Sequence, residues 1–437
     1  MNLIFGNIVD NVTAKKIIKN LDKYILKAKE AQPLNAATVI SACDKLSSKL
    51  TEDDIKLLID MGVPEYKAER EFELLKLMLS KEYLENRLKT EIGASETYEY
   101  EEEYKPYGYD VKVRHKLFPL GTLFHISAGN VELLAAFSII EGLLSGNINI
   151  VKLASSDDGL SVMLLKKLID IEPLLKSFIF VFDIASDDIK TLKNISYLSD
   201  ALVVWGSDEA IRAARTFAGI NTRIIEWGHK ISFAYVSYDK NIYDIADKEL
   251  YSIAYNICDT NQLFCNSCQG VLLDTSDFYE LRTFAKRFLT ILEEVAKSMP
   301  YKFDMRITAA KRLELYTERL ESLQNDDKSV LQGENVNVIV YKNQDLKTSH
   351  MFRNPWIKAL PKEQLLKALL PYKNYLQTVA LVCPQGKRHE FEDIFSKSGA
   401  VRICSGKNMS INYCGMPHDG EFSLRRYMKV MSYEVGS

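Results

Sequence analysis

The sequence predicts an α/β protein in which two parallel-sheet domains follow a helical N-terminal region. Three observations carry that expectation. Apolar residues recur at helical spacing through the chain to about residue 92. From Lys112 onward, short apolar runs of strand length alternate with helix-length segments, the order that builds a parallel sheet covered on both faces. In the second half a cysteine, Cys265, falls on a short connection between a helical segment and the buried-strand run Val271-Leu272-Leu273. The 437 residues suffice for two large or three ordinary domains. We divide them into a helical region and connector (1–110), a first α/β domain (111–236), a second (237–405) and a C-terminal segment (406–437).

Ile17, Ile18, Leu21, Tyr24, Ile25 and Ala28 form one apolar helix face, with lysines on the other side. Thr51 and Asp54 have capping-box spacing at the start of a helix through Ile59, and Tyr66 to Lys89 is a third helical stretch. These helices carry no chemistry and suit packing or oligomerisation. Glu96 to Asp110, with Glu101-Glu102-Glu103, Pro106 and Gly108, is acidic and aperiodic. It predicts a solvated connector and a poor seat for a phosphate or CoA group. Strands are then expected at 123–126, 147–152, 178–182, 201–205, 223–226 and 232–236. A helix is expected from Val131, ended by Gly146 as a C-cap, and another over 159–169, capped from within Ser155 to Asp158. Two more follow over 187–198 and from Ser207 through Phe217. The second α/β region adds helices over 277–297 and 308–324 and strands over 335–340, 377–382 and 399–403.

A hydrophobic content of 47% and a charged content of 26% are ordinary for a folded soluble chain, and a net charge of −3 offers no basic field for nucleic acid or an anionic membrane. Seven cysteines, an odd number, do not make a disulfide framework. With no signal peptide, they point to a reducing cytoplasm. The most apolar stretch, Val131 to Val151, contains Glu132, Glu141 and two asparagines, so it is expected in the core and not in a membrane. Cys265 and Cys268 have the spacing of half a zinc site, but no second Cys or His pair matches it, and no metal is expected.

Neither G-x-G-x-x-G nor G-x-x-x-x-G-K-[ST] occurs, so the usual dinucleotide and phosphate-loop fingerprints are missing. The first predicted sheet offers instead a row of polar strand-end residues: Asn130, Lys152, Ser155, Gly206-Ser207 and Glu226. Taken singly, each also suits a turn, a cap or a surface position. The most informative stretch is Asn261-Gln262-Leu263-Phe264-Cys265-Asn266-Ser267-Cys268-Gln269-Gly270. A cysteine on such a connection is well placed as a nucleophile, because nearby backbone N–H groups can hold both its thiolate and an oxyanion. It equally suits a small buried hydrophobe. His418-Asp419 in the tail invites a triad with Cys265, although adjacent loop residues usually point apart, which leaves a structural contact as the alternative.

Together these residues resemble the aldehyde dehydrogenase superfamily, and more narrowly the bacterial acyl-CoA and acyl-protein thioester reductases that supply fatty aldehyde to bacterial luciferase. The resemblance spans about Leu117 to the C-terminus. It is carried by Pro119-Leu120-Gly121-Thr122-Leu123-Phe124-His125-Ile126-Ser127-Ala128-Gly129-Asn130-Val131, by Val204-Trp205-Gly206-Ser207-Asp208-Glu209-Ala210-Ile211, by Glu226-Trp227-Gly228-His229-Lys230-Ile231-Ser232-Phe233-Ala234, by the cysteine stretch and by His418-Asp419-Gly420. It implies an aldehyde dehydrogenase-like fold, with a cofactor domain at 111–236, a catalytic domain at 237–405 and a C-terminal segment returning to the cofactor or oligomerisation region. Cys265 matches the nucleophile, Asn130 the oxyanion amide and Glu226 the general base. Lys152 matches the lysine on the adenosine ribose, and Ser207, with Gly206 before it, the pyrophosphate contact at a helix start. Ser155 stands where NAD-preferring members often carry glutamate, which favours NADPH, with NADH as the alternative. Cys268 stands where relatives often carry proline.

The activity implied is NADPH-dependent reduction of a long-chain acyl-CoA or acyl-protein thioester to the aldehyde through a thioacyl-cysteine. Implied partners are an acyl-protein synthetase and further copies of the chain. Two other functions stay open on the sequence: oxidation of aldehydes to acids with NAD(P)+, and cysteine acyl transfer without redox chemistry.

Overall fold

A computed structural model describes all residues except 32, 61–64, 94–100, 130–132, 156–158, 302–304, 325 and 436–437. The chain forms two units, Met1–Gly228 with Tyr413–Ser437, and His229–Asn412. Numbered along the chain, the first contributes β1 (Asn2–Ile4), β2 (Asn7–Val9), β3 (Glu101–Tyr104), β4 (Lys112–Pro119), β5 (Thr122–Ile126), β6 (Ile148–Lys152), β7 (Ile179–Phe182), β8 (Ala201–Trp205) and β9 (Arg223–Trp227). The second contributes β10 (Ile231–Val236), β11 (Cys268–Leu273), β12 (Lys328–Gln332), β13 (Asn337–Tyr341), β14 (Trp356–Ala359), β15 (Leu376–Val382) and β16 (Arg402–Cys404), and the returning segment adds β17 (Met428–Val435).

The first unit's main sheet has the order β2-β1-β7-β6-β5-β8-β9, and β5 to β9 pair in parallel. The chain winds outward through β5, β6 and β7, then returns to lay β8 beside β5. That reversal puts the sheet's topological switch point at the carboxyl ends of β5 and β8, where Ser127 to Gly129 and Gly206-Ser207 lie. β6 and β7 are buried at every position, as strands covered on both faces are, and the helices Leu134–Leu144 and Leu160–Ile171 pack into the same core. The helix expected from Val131 begins at Leu134, and Val131 itself lies outside the described residues. The helix Leu160–Ile171 is entered through Gly159, at φ 90, with no side-chain cap; of the expected capping residues, 156–158 lie outside the description.

Two expectations change and one gains a detail. The N-terminal region is mostly helical, as expected, and in addition β1 and β2 form an antiparallel hairpin that β1 adds to β7. Strands of three residues are too short to show a period. The acidic stretch is not only a connector, since β3 pairs antiparallel with β4, which pairs in turn with β17. The reason is charge complementarity across the pair: Glu103 meets Lys112 at 3.2 Å and Arg114 at 3.6 Å. Finally, the units divide after Gly228, not at 236. β10 pairs with β11 and β15, so it opens the second unit's sheet, β12-β13-β14-β11-β10-β15-β16. Only Gly228 to Lys230 separate β9 from β10, and two apolar runs so close give no local sign of belonging to different sheets.

A buried polar cluster ties the tail to the first unit. Arg87 donates to Glu91, Glu141 and Ser423 at 2.5, 2.5 and 2.7 Å, and Glu91 also accepts the Leu424 N–H at 2.9 Å. Nearby, His125 on β5 is fully buried, with Nδ1 2.7 Å from Ser138 Oγ and Nε2 3.0 Å from Asn149 Oδ1. Burial pushes its pKa down to about 4, with the Asn149 contact opposing. The unfolded chain therefore takes up a proton below about pH 6.5 that the folded chain refuses until about pH 4. The stability this histidine protects is complete above pH 6.5 and is expected to fall by about 3 kcal/mol as the pH drops toward 4. Urea unfolding across that range checks this, with His125→Gln expected to flatten the profile.

Candidate functional site

The helix Asp247–Thr260 ends because Asn261 and Gln262 take left-handed backbone, φ 48 and 62. Asparagine tolerates that conformation better than most residues. The chain then turns tightly: the Ser267 N–H donates to Phe264 O at 3.0 Å, and Ser267 Oγ accepts the Phe264 N–H at 2.9 Å. Cys265 sits in this turn, partly exposed, three residues before β11.

Three side chains fix the turn from behind. Ser232 Oγ on β10 donates to the Cys265 carbonyl at 2.7 Å and accepts the Thr378 N–H of β15 at 3.1 Å. The buried Gln262 amide donates to the carbonyls of Cys268 and Gln269 at 3.0 and 3.2 Å and accepts the Asn354 N–H at 2.8 Å. Gln269 Oε1 accepts the N–H and hydroxyl of Ser349 at 3.0 and 2.8 Å. The supporting segment is itself strained. Met351, Phe352 and Arg353 are all left-handed, at φ 57, 48 and 68, which costs roughly 1–2 kcal/mol each. It is held by the Phe352 N–H donating to Asn261 O at 2.8 Å and by Arg353, 2% exposed, donating to Asn261 Oδ1 at 2.9 Å and Cys258 O at 3.2 Å. Gly270 is required where β11 pairs in parallel with β14, since a Cβ there would meet Trp356 ring and carbonyl atoms at 2.2 and 2.3 Å. Cys265 thus lies at the amino ends of β10, β11 and β15, so the rule that ligands sit at carboxyl ends does not locate it. Gln262, Ser232, Ser349 and Asn354 were not singled out from the sequence; only the abundance of amides around Cys265 hinted at them.

Cys268, the other thiol of the stretch, is fully buried, and its Sγ–H donates to Gly270 O at 3.2 Å. Burial pushes its pKa up to about 12, so it holds almost no thiolate near neutral pH. Among the described residues, no group of three or more His, Cys, Asp and Glu could hold a metal ion.

In the first unit, Lys152 ends β6 and is 5% exposed. Its Nζ donates to Ser186 Oγ at 2.8 Å, and no carboxylate of the described residues lies within 4 Å. Burial pushes its pKa down, with Asp183 opposing. Ser155 is exposed in the following turn. Ser207 caps the helix Asp208–Phe217 by accepting the Ala210 N–H at 3.4 Å, and Gly206 lets that helix approach, since a Cβ there would meet Ala210 Cβ at 2.9 Å. Asp208 and Glu209 in the first turn already complement the helix N-terminus. Glu226 on β9 is engaged by Arg215, Nε to Oε1 at 2.7 Å and Nη2 to Oε2 at 3.0 Å, a pairing its position in the sequence did not reveal. His418 packs edge-on against the rings of Trp205 and Trp227, at 5.3 and 4.9 Å, with Nε2 3.8 Å from Asp419. Asn130 lies outside the described residues.

Brief alkylation with iodoacetamide at pH 8, followed by peptide mapping, is expected to mark Cys265 and spare Cys43, Cys258 and Cys268, which are buried with raised pKa values. Ser232→Ala is expected to lower turnover by about tenfold to a hundredfold by loosening the cysteine, with KM for substrate little changed in steady-state assays.

The family described as acyl-CoA reductase (LuxC) matches residues 32–430. A long-chain acyl-protein thioester reductase from Vibrio harveyi is 25% identical over 363 residues, covering 82% of this chain and 72% of its own length. In structure the chain is similar to lactaldehyde dehydrogenase from Escherichia coli (TM-score 0.70, 13% identity, 97% of this chain and 91% of that one). It is likewise similar to an NADP-complexed glyceraldehyde-3-phosphate dehydrogenase from Methanocaldococcus jannaschii (TM-score 0.71, 15% identity, 99% and 96%). The protein is therefore a member of the acyl-CoA reductase (LuxC) family, built on the aldehyde dehydrogenase fold.

Proposed function

We propose that the protein reduces a fatty acyl thioester, carried on CoA or on an acylated protein, to the aldehyde, with Cys265 as nucleophile and NADPH as reductant. The observation that carries this reading is a partly exposed cysteine on a turn braced at its carbonyl and through the flanking glutamines, in a member of an acyl-CoA reductase family. Cys265 thiolate attacks the thioester carbonyl, the carbonyl electrons move to oxygen, and collapse expels the carrier thiolate to leave a thioacyl enzyme. The Cys265 N–H and the Asn130 amide are assigned to the oxyanion, where losing one donor costs about 3 kcal/mol.

The residues at the carboxyl ends of β6 and β8 fit a phosphorylated dinucleotide. Among the described residues the Lys152 ammonium is held by a hydroxyl alone, and exposed Ser155 itself carries no carboxylate to repel a 2′-phosphate. Gly206 and Ser207 frame a helix start, although Asp208 and Glu209 weaken that end for a pyrophosphate. When bound, the nicotinamide supplies the hydride that releases the acyl group from sulfur as aldehyde. Glu226 has both oxygens engaged by Arg215 and would have to loosen that ion pair to activate water, a step that reduction of a thioester does not need.

The acylated protein would come from an acyl-protein synthetase, and the working form would be a homo-oligomer. No helix of the described residues is long and apolar enough to cross a membrane, and no disulfide links the seven cysteines, which suits a cytoplasmic enzyme.

NADPH oxidation followed by absorbance with a panel of acyl-CoAs tests the reading. Oxidation that releases aldehyde and disappears in Cys265→Ala is expected. Glu226→Gln is expected to retain activity within about tenfold, whereas losing a committed general base costs about 10²–10⁴. Aldehyde-driven NADP+ reduction with no thioester turnover would overturn the proposal.

A further inference from the structure

The second unit holds a cavity of about 610 Å³, lined by the helix Met305–Gln324, by residues 330–337 and by Phe352 to Asn354. From its charge, size and position we infer that this cavity binds the 3′-phosphoadenosine diphosphate end of CoA; the inference rests on the thioester reading above.

Lys297, Lys311, Arg312 and Arg319 line the cavity, against one carboxylate among the described residues, that of Glu334. Lys297 pairs with that carboxylate at 3.5 Å, and Lys311 pairs with Glu314 at 2.8 Å. No ion pair of the described residues involves Arg312 or Arg319; Arg319 donates only to the neutral Gln332, at 3.0 Å. These two residues are seven apart on one helix, hence on one face, with their backbones roughly 10 Å apart along its axis. That spacing suits a ligand with phosphates at two places, and guanidinium is the side chain that grips phosphate through two parallel hydrogen bonds. Tyr316 lies between them, 59% exposed, and offers a ring on which adenine can stack. The volume accommodates a nucleotide, and a lining that mixes cationic side chains with apolar and aromatic ones suits a ligand that joins phosphates to a purine.

Position ties the cavity to the chemistry. Phe352 and Asn354, part of its lining, are the residues whose N–H groups donate to Asn261 O and Gln262 Oε1 of the cysteine turn. A carrier gripped here is held by the same unit that carries Cys265. Binding energy from its non-reacting end would lower KM without entering the bond-making step.

The test uses the full chain and the Arg312→Glu/Arg319→Glu double variant. KM for acyl-CoA is expected to rise about tenfold or more, the loss of one charge-assisted contact, while turnover of the acyl-N-acetylcysteamine thioester, which lacks the nucleotide, stays unchanged. In the wild type, 3′,5′-ADP is expected to compete with acyl-CoA and not with NADPH. An unchanged KM for acyl-CoA, an equal loss with both thioesters, or competition with NADPH alone would overturn the site. Calorimetric titration of 3′,5′-ADP into wild type and variant judges it without turnover: heat seen only with the wild type supports it, and equal heats or none overturn it. Failure of the wild type to reduce either thioester would count against the reductase reading and leave the calorimetric result to decide the site.

Discussion

The Asn354 N–H reaches the Gln262 side chain across 92 residues of sequence, and the geometry around Cys265 depends on that bond. Gln262 is 1% exposed, and its amide also fixes the carbonyls of Cys268 and Gln269. A buried amide left with one group unpaired costs roughly 1–3 kcal/mol, so these bonds are made together or lost together. The same linkage holds Met351, Phe352 and Arg353 in backbone they would otherwise leave. The cysteine is thereby fixed at its carbonyl and at both flanks while the residue remains partly exposed. This is the division of labour that a covalent catalyst requires: a rigid main chain with an accessible side chain.

Environment, and not sequence motif, separates the two thiols of the stretch. Cys265 and Cys268 stand three residues apart, yet one lies in a partly exposed turn and the other is sealed at the start of β11 with its S–H on a backbone carbonyl. Burial alone removes Cys268 from thiolate chemistry. Glu226 makes the complementary point. It sits at a strand end, where a carboxylate can act as a base, but Arg215 one helix away grips both its oxygens. An enzyme that passes an acyl group from thiol to thiol and then to aldehyde has no water to activate, and tolerates such an ion pair.

Much of this was legible in the sequence where local signals are strong. β8 and the Ser207-capped helix after it fall where the apolar run, Gly206 and the cap residue put them. The cysteine turn between helix and strand was likewise readable, as was the aldehyde dehydrogenase fold once the motifs were taken together. What was not legible depends on partners far away in the chain. β3 needs the basic strand β4, and β1 needs an edge formed by β7 some 180 residues later. The break between β9 and β10 depends on which sheet each joins. The bracing of Cys265 from Ser232, Ser349 and Asn354 joins three separate segments whose residues, taken singly, are ordinary turn and strand-end polars.

The account stands on acylation of one cysteine. The most direct measurement is to mix the protein with a long-chain acyl-CoA in the absence of reductant, quench, and map the peptides by mass spectrometry while CoA release is counted. One acyl group on the peptide at Cys265 per CoA released, discharged as aldehyde when NADPH is added, is the predicted result. Acyl on Cys268 or another cysteine, or aldehyde formed with no acylated cysteine, would contradict it.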